Sequence, residues 1–274
     1  MTLLLSGGLM LGLGSGVALL LGWADRAFRV RVDMRIRKVL ELLPGANCGG
    51  CGYTGCGEYA EAVAKGESPA DQCPVGGPRT ADAVARCLGL ASEAAFPRKA
   101  ILHCNTRNET RQRQASYAGA PHCLTAHLVA GVQDCVYGCL GFGDCAKACP
   151  FDALILENGV AHINYAHCTG CGACAEVCPR SLLEIIPFKG DSMPVVSCAN
   201  PDKGPDVRGV CSHGCIGCRA CPRKLDCFKM NDSLARIDYS LFNPATDEQG
   251  LAAAELCCPM NGIRRAGKPG RNDE

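Results

Sequence analysis

Hydrophobic and polar positions divide the chain into a long apolar start and a polar, cysteine-rich remainder. No charged residue occurs from Leu3 to Trp23, where leucine, valine, alanine and glycine dominate. About 20 apolar residues are what an α-helix needs to cross the hydrocarbon core of a bilayer. The segment lacks the positive start and the shorter apolar core of a secretory signal. The pattern predicts a transmembrane anchor over residues 1–25, contacting the membrane through residues 3–23.

Basic residues follow this apolar segment directly. By the positive-inside rule they predict a single-pass protein of the cytoplasmic (inner) membrane, with its soluble part in the cytoplasm. The six basic positions are Arg26, Arg29, Arg31, Arg35, Arg37 and Lys38.

Two shorter patterns predict local structure in the soluble part. Residues Glu58 to Lys65 are typical of a short helix. Residues 153–163 form two short strand-like segments on either side of Asn158-Gly159, which is a strong signal for a two-stranded hairpin.

The cysteine count decides the chemical class. The chain has 274 residues, 23 cysteines and a formal net charge of +1, a balance that argues against nucleic-acid binding. Most cysteines are two or three residues apart, which suits convergence on a metal or cluster better than disulfide pairing. No sequence fingerprint for a flavin, NAD or haem site is found in the chain.

The first cysteine set has the spacing C-x2-C-x4-C-x16-C with glycines between the ligands. Those glycines let the backbone curl around a cluster, although four thiolates would also satisfy zinc. The set is Cys48, Cys51, Cys56 and Cys73.

The second and third sets are two ferredoxin-type runs that each end in Cys-Pro. In two-cluster ferredoxins the fourth cysteine of each run ligates the cluster of the other run. The spacing therefore predicts one [4Fe–4S] cluster on Cys135, Cys139, Cys145 and Cys178, and a second on Cys149, Cys168, Cys171 and Cys174.

The fourth set is a broken copy of this unit. Residues 235–242 align with residues 161–168, which puts Phe242 where Cys168 stands. Only the final Cys-Pro of the second run is kept, so the expected ligands are Cys215, Cys218, Cys221 and Cys258. Cys227 would have served the lost cluster, and Cys257 is adjacent to the ligand and could replace it.

Scattered cysteines leave room for a fifth cluster, on Cys104, Cys123, Cys198 and Cys211. The alternative is that these four are ordinary buried thiols. The expectation is four to five [4Fe–4S] clusters, with five favoured, and Cys87 is left outside the five sets with its role open. His103 and His122 lack metal spacing and are predicted at the surface.

A basic stretch before the ferredoxin runs is either a solvated face or a docking surface for an acidic carrier such as ferredoxin. It contains Arg98, Lys99, Arg107, Arg111 and Arg113.

The predicted fold class is α+β, in five segments. These are the anchor (1–25), a small helical [4Fe–4S] domain (31–91), a basic connecting segment (92–130), a two-cluster ferredoxin-type domain (131–190) and a degenerate ferredoxin-type domain (191–274).

Several motifs resemble the B subunit of the Rnf complex, a membrane-bound ferredoxin:NAD oxidoreductase. The similarity runs nearly end to end. It is carried by Asn47-Cys-Gly-Gly-Cys-Gly-Tyr-Thr-Gly-Cys, Asp71-Gln-Cys-Pro, Cys135-Val-Tyr-Gly-Cys-Leu-Gly-Phe-Gly-Asp-Cys, Cys168-Thr-Gly-Cys-Gly-Ala-Cys and Ser197-Cys-Ala-Asn-Pro-Asp-Lys-Gly.

The resemblance implies an electron-transfer subunit that passes electrons between soluble ferredoxin and the other subunits of a membrane complex. The complex as a whole would couple ferredoxin:NAD oxidoreduction to Na⁺ or H⁺ translocation. Two alternatives stay open: a zinc scaffold without a redox role, and an electron-transfer subunit of another membrane redox enzyme or redox-sensor reducing system.

Overall fold

The computed structural model describes residues 2–28, 33–90, 96–106 and 116–267. Its first element is helix α1 (Thr2–Ala27). Within the described residues this is the one helix long and apolar enough to cross a membrane, by length and composition. The helix agrees with the expectation from the uncharged start of the chain.

A three-helix module follows α1. Its helices pack through Val39, Val63 and Val84, which are fully buried. Gly66 and Gly89 adopt left-handed conformations at the ends of the second and third helices of the module, where a side chain would add strain. The predicted helix over 58–65 is confirmed. The helices are α2 (Met34–Leu42), α3 (Cys56–Lys65) and α4 (Gly77–Leu88).

The next unit, residues 98–187, contains two antiparallel strand pairs. The predicted hairpin is confirmed: Glu157 pairs with Val160, and the turn residues Asn158 and Gly159 both have positive φ. The outer strands of the unit also pair, Arg98 opposite Pro187. The elements are β1 (Arg98–Leu102), α5 (Cys123–His127), α6 (Asp144–Lys147), β2 (Leu154–Glu157), β3 (Val160–Ile163), α7 (Ala173–Glu176) and β4 (Leu183–Pro187).

Strand β1 lies within the stretch predicted as a basic connection. Lys99 is half-buried there, donates a hydrogen bond to the Tyr165 carbonyl oxygen, and lies 5.7 Å from the centre of the Phe188 ring. The Lys99 side chain therefore makes contacts within the unit. Three other residues of the predicted docking stretch lie outside the described residues, namely Arg107, Arg111 and Arg113.

The second unit, residues 192–267, repeats the strand pairing of the first, with an outer pair around a hairpin. A helix replaces the second cysteine run. The elements are β5 (Ser192–Val196), α8 (Gly204–Val210), a 3₁₀ turn (Cys221–Arg223), β6 (Phe228–Asn231), β7 (Leu234–Ile237), α9 (Glu248–Cys257) and β8 (Ile263–Gly267).

An apolar core occupies the place where the second unit lacks cysteine ligands. Phe242, aligned with Cys168, is 1% exposed and packs with Leu251 and Ala254 of α9. Cys227, 2% exposed, belongs to the same core. This cluster continues into the first unit through Ile101 and Ile186, so the two units share one core.

Candidate functional site

All 23 cysteines are free thiols. Shared cavities and thiols within electrostatic reach of one another define five groups among them. The first, called here the N-terminal group, consists of Cys48, Cys51, Cys56 and Cys73. The Asn47 side chain accepts a hydrogen bond from the backbone N–H of Cys56 at 2.8 Å, which closes the loop onto the start of α3. Burial, followed by the nearby thiols of Cys51 and Cys56, raises the pKa of Cys73. The thiols of Cys51, Cys56 and Cys73 thus lie together, and Cys48, which is also within electrostatic reach of Cys171, stays a predicted member of the group.

The Cys149 group lies between the two cysteine runs of the first unit. It consists of Cys149, Cys168, Cys171 and Cys174. Burial, and then the thiols of Cys168, Cys171 and Cys149, raises the pKa of Cys174 to about 12. The structure thus brings Cys149, the fourth cysteine of the first run, together with the first three cysteines of the second run, as the ferredoxin ligation pattern predicts.

The Cys123 group contains one residue that differs from the expected set. Its thiols line a cavity of about 420 Å³, counted with its opening to solvent, whose walls include Leu102, Leu156 and Leu182. Burial, and then the thiols of Cys139, Cys123 and Cys178, raises the pKa of Cys145 to about 12. The group is Cys123, Cys139, Cys145 and Cys178.

Cys123 takes the place that the spacing assigned to Cys135. The Asp144 carboxylate accepts a hydrogen bond from the backbone N–H of Cys123 at 2.7 Å, which fixes the start of α5 next to Cys145. The expected grouping of Cys135 with Cys139, Cys145 and Cys178 is therefore corrected. The sequence alone does not reveal this exchange, because Cys123 lies 16 residues before Cys139 and outside the regular cysteine spacing of the ferredoxin-type runs.

Cys135 belongs instead to the interunit group, which lies where the two units meet. Its cavity is about 310 Å³, again counted with its opening. Burial raises the pKa of Cys135, with Cys104 and Cys211 as the nearby thiols. The group is Cys104, Cys135, Cys198 and Cys211, so the expected scattered set is corrected by exchanging Cys123 for Cys135.

A repeat in the sequence accounts for the interunit group. Cys104 and Cys198 each lie two residues after an outer strand, β1 and β5 respectively. Cys135 precedes Cys139 with the same x3 spacing by which Cys211 precedes Cys215. Each unit thus supplies two equivalent thiols to one shared cavity, and this internal repeat is the signal that could have found the group.

Polar residues surround the interunit group. His103 is 6% exposed, and its ring nitrogens lie 2.9 Å from the Val196 carbonyl oxygen and 2.8 Å from a Glu184 carboxylate oxygen. The prediction of His103 at the surface is wrong, because the end of β1 is covered by the second unit. The hydrogen bond from His103 lowers the pKa of Glu184. The Arg180 guanidinium donates to the carbonyl oxygens of Cys135 and Gly138.

The C-terminal group lies in the second unit and contains Cys215, Cys218, Cys221 and Cys258. The four thiols line a cavity of about 430 Å³, opening included. Burial, and then the thiols of Cys215, Cys218 and Cys258, raises the pKa of Cys221 to about 12. Cys258, which follows α9, therefore lies beside the other three, as expected if the last cysteine of the second run serves the cluster of the first.

Three cysteines lie outside the groups. The Cys257 thiol donates a hydrogen bond to the Ala254 carbonyl oxygen at 3.2 Å, within α9. Cys227 is buried in the apolar core, where burial raises its pKa to about 11, and Cys87 is exposed on α4. Of the adjacent pair, Cys258 and not Cys257 lines the cavity.

Backbone N–H groups point at the grouped sulfurs. Ala153 donates to Cys149 Sγ, Leu182 to Cys178 Sγ and Gly262 to Cys258 Sγ, at nitrogen–sulfur distances of 3.2 to 3.4 Å. Such bonds stabilise thiolate sulfur and adjust the potential of a metal centre. Together with four thiols per group they fit an iron–sulfur cluster.

The size of the cavities bears on the kind of centre. Within residues 2–28, 33–90, 96–106 and 116–267, no group of three or more His, Cys, Asp or Glu side chains is arranged around a single metal ion. The thiols of three groups instead border cavities of about 310 to 430 Å³, openings included. Four thiols around one cavity are the donor set of a polynuclear iron–sulfur cluster.

Two family models match the chain over these regions. The FeS family, which describes an Fe-S cluster, matches residues 43–75. The 4Fe-4S dicluster domain matches residues 127–179. The first match covers the N-terminal group, and the second covers both ferredoxin-type runs.

Similar proteins span nearly the whole chain. The B subunit of the ion-translocating oxidoreductase complex of Methanosarcina acetivorans is 38% identical over 260 residues, covering 92% of this chain and 94% of that protein. The B subunit of the Na(+)-translocating ferredoxin:NAD(+) oxidoreductase complex of Acetobacterium woodii is 38% identical, covering 85% and 68%. The B subunit of the proton-translocating ferredoxin:NAD(+) oxidoreductase complex of Clostridium ljungdahlii is 36% identical, covering 90% and 86%.

Proposed function

This chain belongs to the family of B subunits of Rnf-type ion-translocating oxidoreductase complexes, and we propose that it relays single electrons through five [4Fe–4S] clusters. The observation that carries the proposal is the convergence of twenty cysteines in five groups of four. A thiolate-held cluster supplies one-electron oxidation and reduction without needing an acid or base. The protein's part is to hold, insulate and order the five sites.

The proposed ligands follow the five groups. The two units would then be one full and one degenerate ferredoxin-type unit, joined by a cluster that both units hold. The assignments are Cys48, Cys51, Cys56 and Cys73; Cys149, Cys168, Cys171 and Cys174; Cys123, Cys139, Cys145 and Cys178; Cys104, Cys135, Cys198 and Cys211; and Cys215, Cys218, Cys221 and Cys258.

Contacts between neighbouring groups support a single path for the electron. The loop of the N-terminal group touches the Cys149 group where Gly50 meets Cys171. The Cys149 and Cys123 groups adjoin at Cys174 and Cys145. The backbone N–H of Cys139 donates to Cys104 Sγ at 3.3 Å, which joins the Cys123 group to the interunit group.

The last step of the path joins the interunit and C-terminal groups. The thiol of Cys215 lies within electrostatic reach of Cys198, and only three residues separate Cys211 from Cys215. The order is therefore N-terminal, Cys149, Cys123, interunit and C-terminal. We infer that electrons pass along this order between soluble ferredoxin and the other subunits of the complex.

The helix α1 would anchor the chain in the cytoplasmic membrane and leave the clusters in the cytoplasm. The named relatives couple ferredoxin:NAD(+) oxidoreduction to Na⁺ or proton translocation. We propose the same overall reaction for the complex of this chain, with the flavin, NAD and ion sites on its other subunits.

Iron and acid-labile sulfide per chain test this proposal on full-length protein purified without oxygen in detergent. Five clusters give a value near ~20 irons, at four per cluster. A value of about 16 irons in the parent protein, with no further loss of iron in the Cys198→Ser variant, would mean that the interunit group holds no cluster. Zinc in place of iron would overturn the electron-transfer role.

A further inference from the structure

The C-terminal group is the most accessible of the five. Cys218 is exposed, whereas the other nineteen grouped cysteines are buried or half-buried. A redox centre near the surface exchanges electrons most readily with a partner that docks over it. This group also stands at the end of the path of contacts opposite the N-terminal group, which follows the membrane helix.

The residue after Cys218 has an unusual backbone conformation. The two runs Cys168-Thr-Gly-Cys-Gly-Ala-Cys and Cys215-Ile-Gly-Cys-Arg-Ala-Cys have the same spacing. Gly172 of the first run has φ +90°, and Arg219 stands at the matching position of the second with φ +58°. A residue other than glycine costs about 1 kcal/mol in this region. Arginine therefore occupies this position despite the conformational cost, which points to a role for its side chain.

Arg219 opens a basic rim around Cys218. Arg219, Arg223 and Lys224 are all exposed, and Arg219 also lines the cavity of the C-terminal group. Their side chains make no hydrogen bond or ion pair with the described part of the chain. From residue 211 to residue 224 the chain has these three basic residues and no acidic one. Asp226, the next charged residue, is exposed and leaves residues 211–226 with a net charge of +2. The rim is therefore positive, and its basic side chains are free to meet a partner.

The opposite end of the path has mixed charge. Around the N-terminal group, Glu58, Glu67 and Asp71 are exposed, and so are Lys65 and Arg79. An acidic partner would therefore be attracted more strongly at the basic rim. Charge complementarity thus favours the C-terminal end of the path for an acidic partner.

We propose that Cys218 and the rim formed by Arg219, Arg223 and Lys224 are the docking face for a small acidic one-electron carrier protein. The inference rests on the electron-transfer role proposed above and assigns the electron's entry point. One electron leaves the reduced carrier, which becomes oxidised, and arrives at the centre held by the C-terminal group. No bond is broken and no proton is transferred in this step.

Stopped-flow reduction tests the docking face on full-length, cluster-loaded protein in detergent. The reductants are a reduced acidic ferredoxin and, separately, dithionite, which needs no protein docking. The variants are Arg219→Gly, Arg219→Lys and the triple reversal Arg219→Glu/Arg223→Glu/Lys224→Glu. Arg79→Glu, an exposed basic residue on α4, is the matched control.

Arg219→Gly should be as stable as the parent or more so, because glycine suits the left-handed conformation. It should nevertheless be reduced about threefold more slowly by ferredoxin at low salt, and the triple reversal at least about tenfold more slowly. Arg219→Lys should retain most of the rate, and high salt should remove the differences. Dithionite should reduce every variant at the parent rate.

Ferredoxin rates that are unchanged in the triple reversal, with normal dithionite reduction, would overturn the docking face and leave the electron-transfer role intact. The same result together with lost binding to anionic vesicles would assign the rim to lipid headgroups instead. A parent protein that neither reductant reduces would overturn the proposed function itself.

Discussion

Gly50, in the loop of the N-terminal group, packs against the backbone of Cys171 in the Cys149 group. A Cβ atom on Gly50 would lie 2.6 Å from the Cys171 carbonyl oxygen and 3.0 Å from its Cα. Backbone atoms cannot move away as a flexible side chain can. Glycine at this position thus allows the helical module and the first unit to approach each other at the point where their proposed clusters are neighbours.

Gly50→Ala should therefore push the two parts of the molecule apart. We expect the free energy of unfolding to fall by about 1–3 kcal/mol, as for other overpacked contacts, and the magnetic coupling between the two clusters to weaken. Thermal unfolding and electron paramagnetic resonance of the reduced protein measure these effects.

Gly57→Ala is the matched control for that substitution. Gly57 lies in α3 with open space around its Cβ position, and alanine favours the helix. This variant should keep both the coupling and the stability. Equal behaviour of the two variants would contradict a tight contact at Gly50.

Short-range patterns predicted much of this molecule. The hairpin turn at Asn158-Gly159 and the Cys149 group follow from spacing, because turn geometry and cluster size limit which residues can meet. The exchange of Cys123 and Cys135 did not follow from spacing. It depends on the Asp144 carboxylate holding α5 and on the second unit covering the end of β1, which are long-range contacts.

Pairs of cysteine variants distinguish the two groupings. Cys135→Ser and Cys198→Ser should act on one cluster, so the double variant should lose about four irons, no more than either single variant. Cys123→Ser with Cys198→Ser should lose about eight, because the two residues lie in different groups. Iron per chain after anaerobic reconstitution measures the losses.

The spacing-based grouping predicts the reverse order of iron losses. Under that grouping the Cys123/Cys198 pair would lose about four irons and the Cys135/Cys198 pair about eight. Cys87→Ser is the control, since this exposed thiol lies in none of the groups. It should retain all of the iron.

Burial of the thiols makes cluster release dependent on pH. The pKa values of Cys145, Cys174 and Cys221 are raised to about 12 from an ordinary value of 9.0. A folded-state pKa above the unfolded value means that the fold favours the neutral thiol. The neutral thiols therefore stabilise the cluster-free fold fully below pH 9, and this stabilisation is lost as the pH rises towards 12. Cluster ligation requires the thiolate, so acid favours release.

Iron chelation at pH 7.5 should accordingly take up at least about eight protons per released cluster, about four by the cysteine thiolates and about one by each of the four released sulfides. The release rate should rise as the pH falls from 8 to 6. An indicator dye in weakly buffered anaerobic solution measures the uptake, and iron absorbance measures the rate. Uptake of only about four protons per cluster, the share of the released sulfide, would mean that the thiols remain ionised in the empty sites.

Arg180 places a positive charge between two of the proposed clusters. Its guanidinium is half-buried and lies within electrostatic reach of Cys139 and Cys178 in one group and of Cys135 and Cys104 in the other. Reduction adds negative charge to a cluster, and a nearby cation stabilises the reduced form. Arg180→Met should therefore lower the reduction potentials of both clusters, on the order of tens of millivolts.

The conservative variant separates charge from hydrogen bonding at this position. Arg180→Lys keeps the cation but loses the planar fork that reaches the carbonyl oxygens of both Cys135 and Gly138. Its potentials should stay near those of the parent, while amide hydrogen exchange across residues 135–139 increases. Redox titration followed by electron paramagnetic resonance measures the potentials. Equal potentials in the methionine variant and the parent would mean that solvent screens the Arg180 charge from both centres.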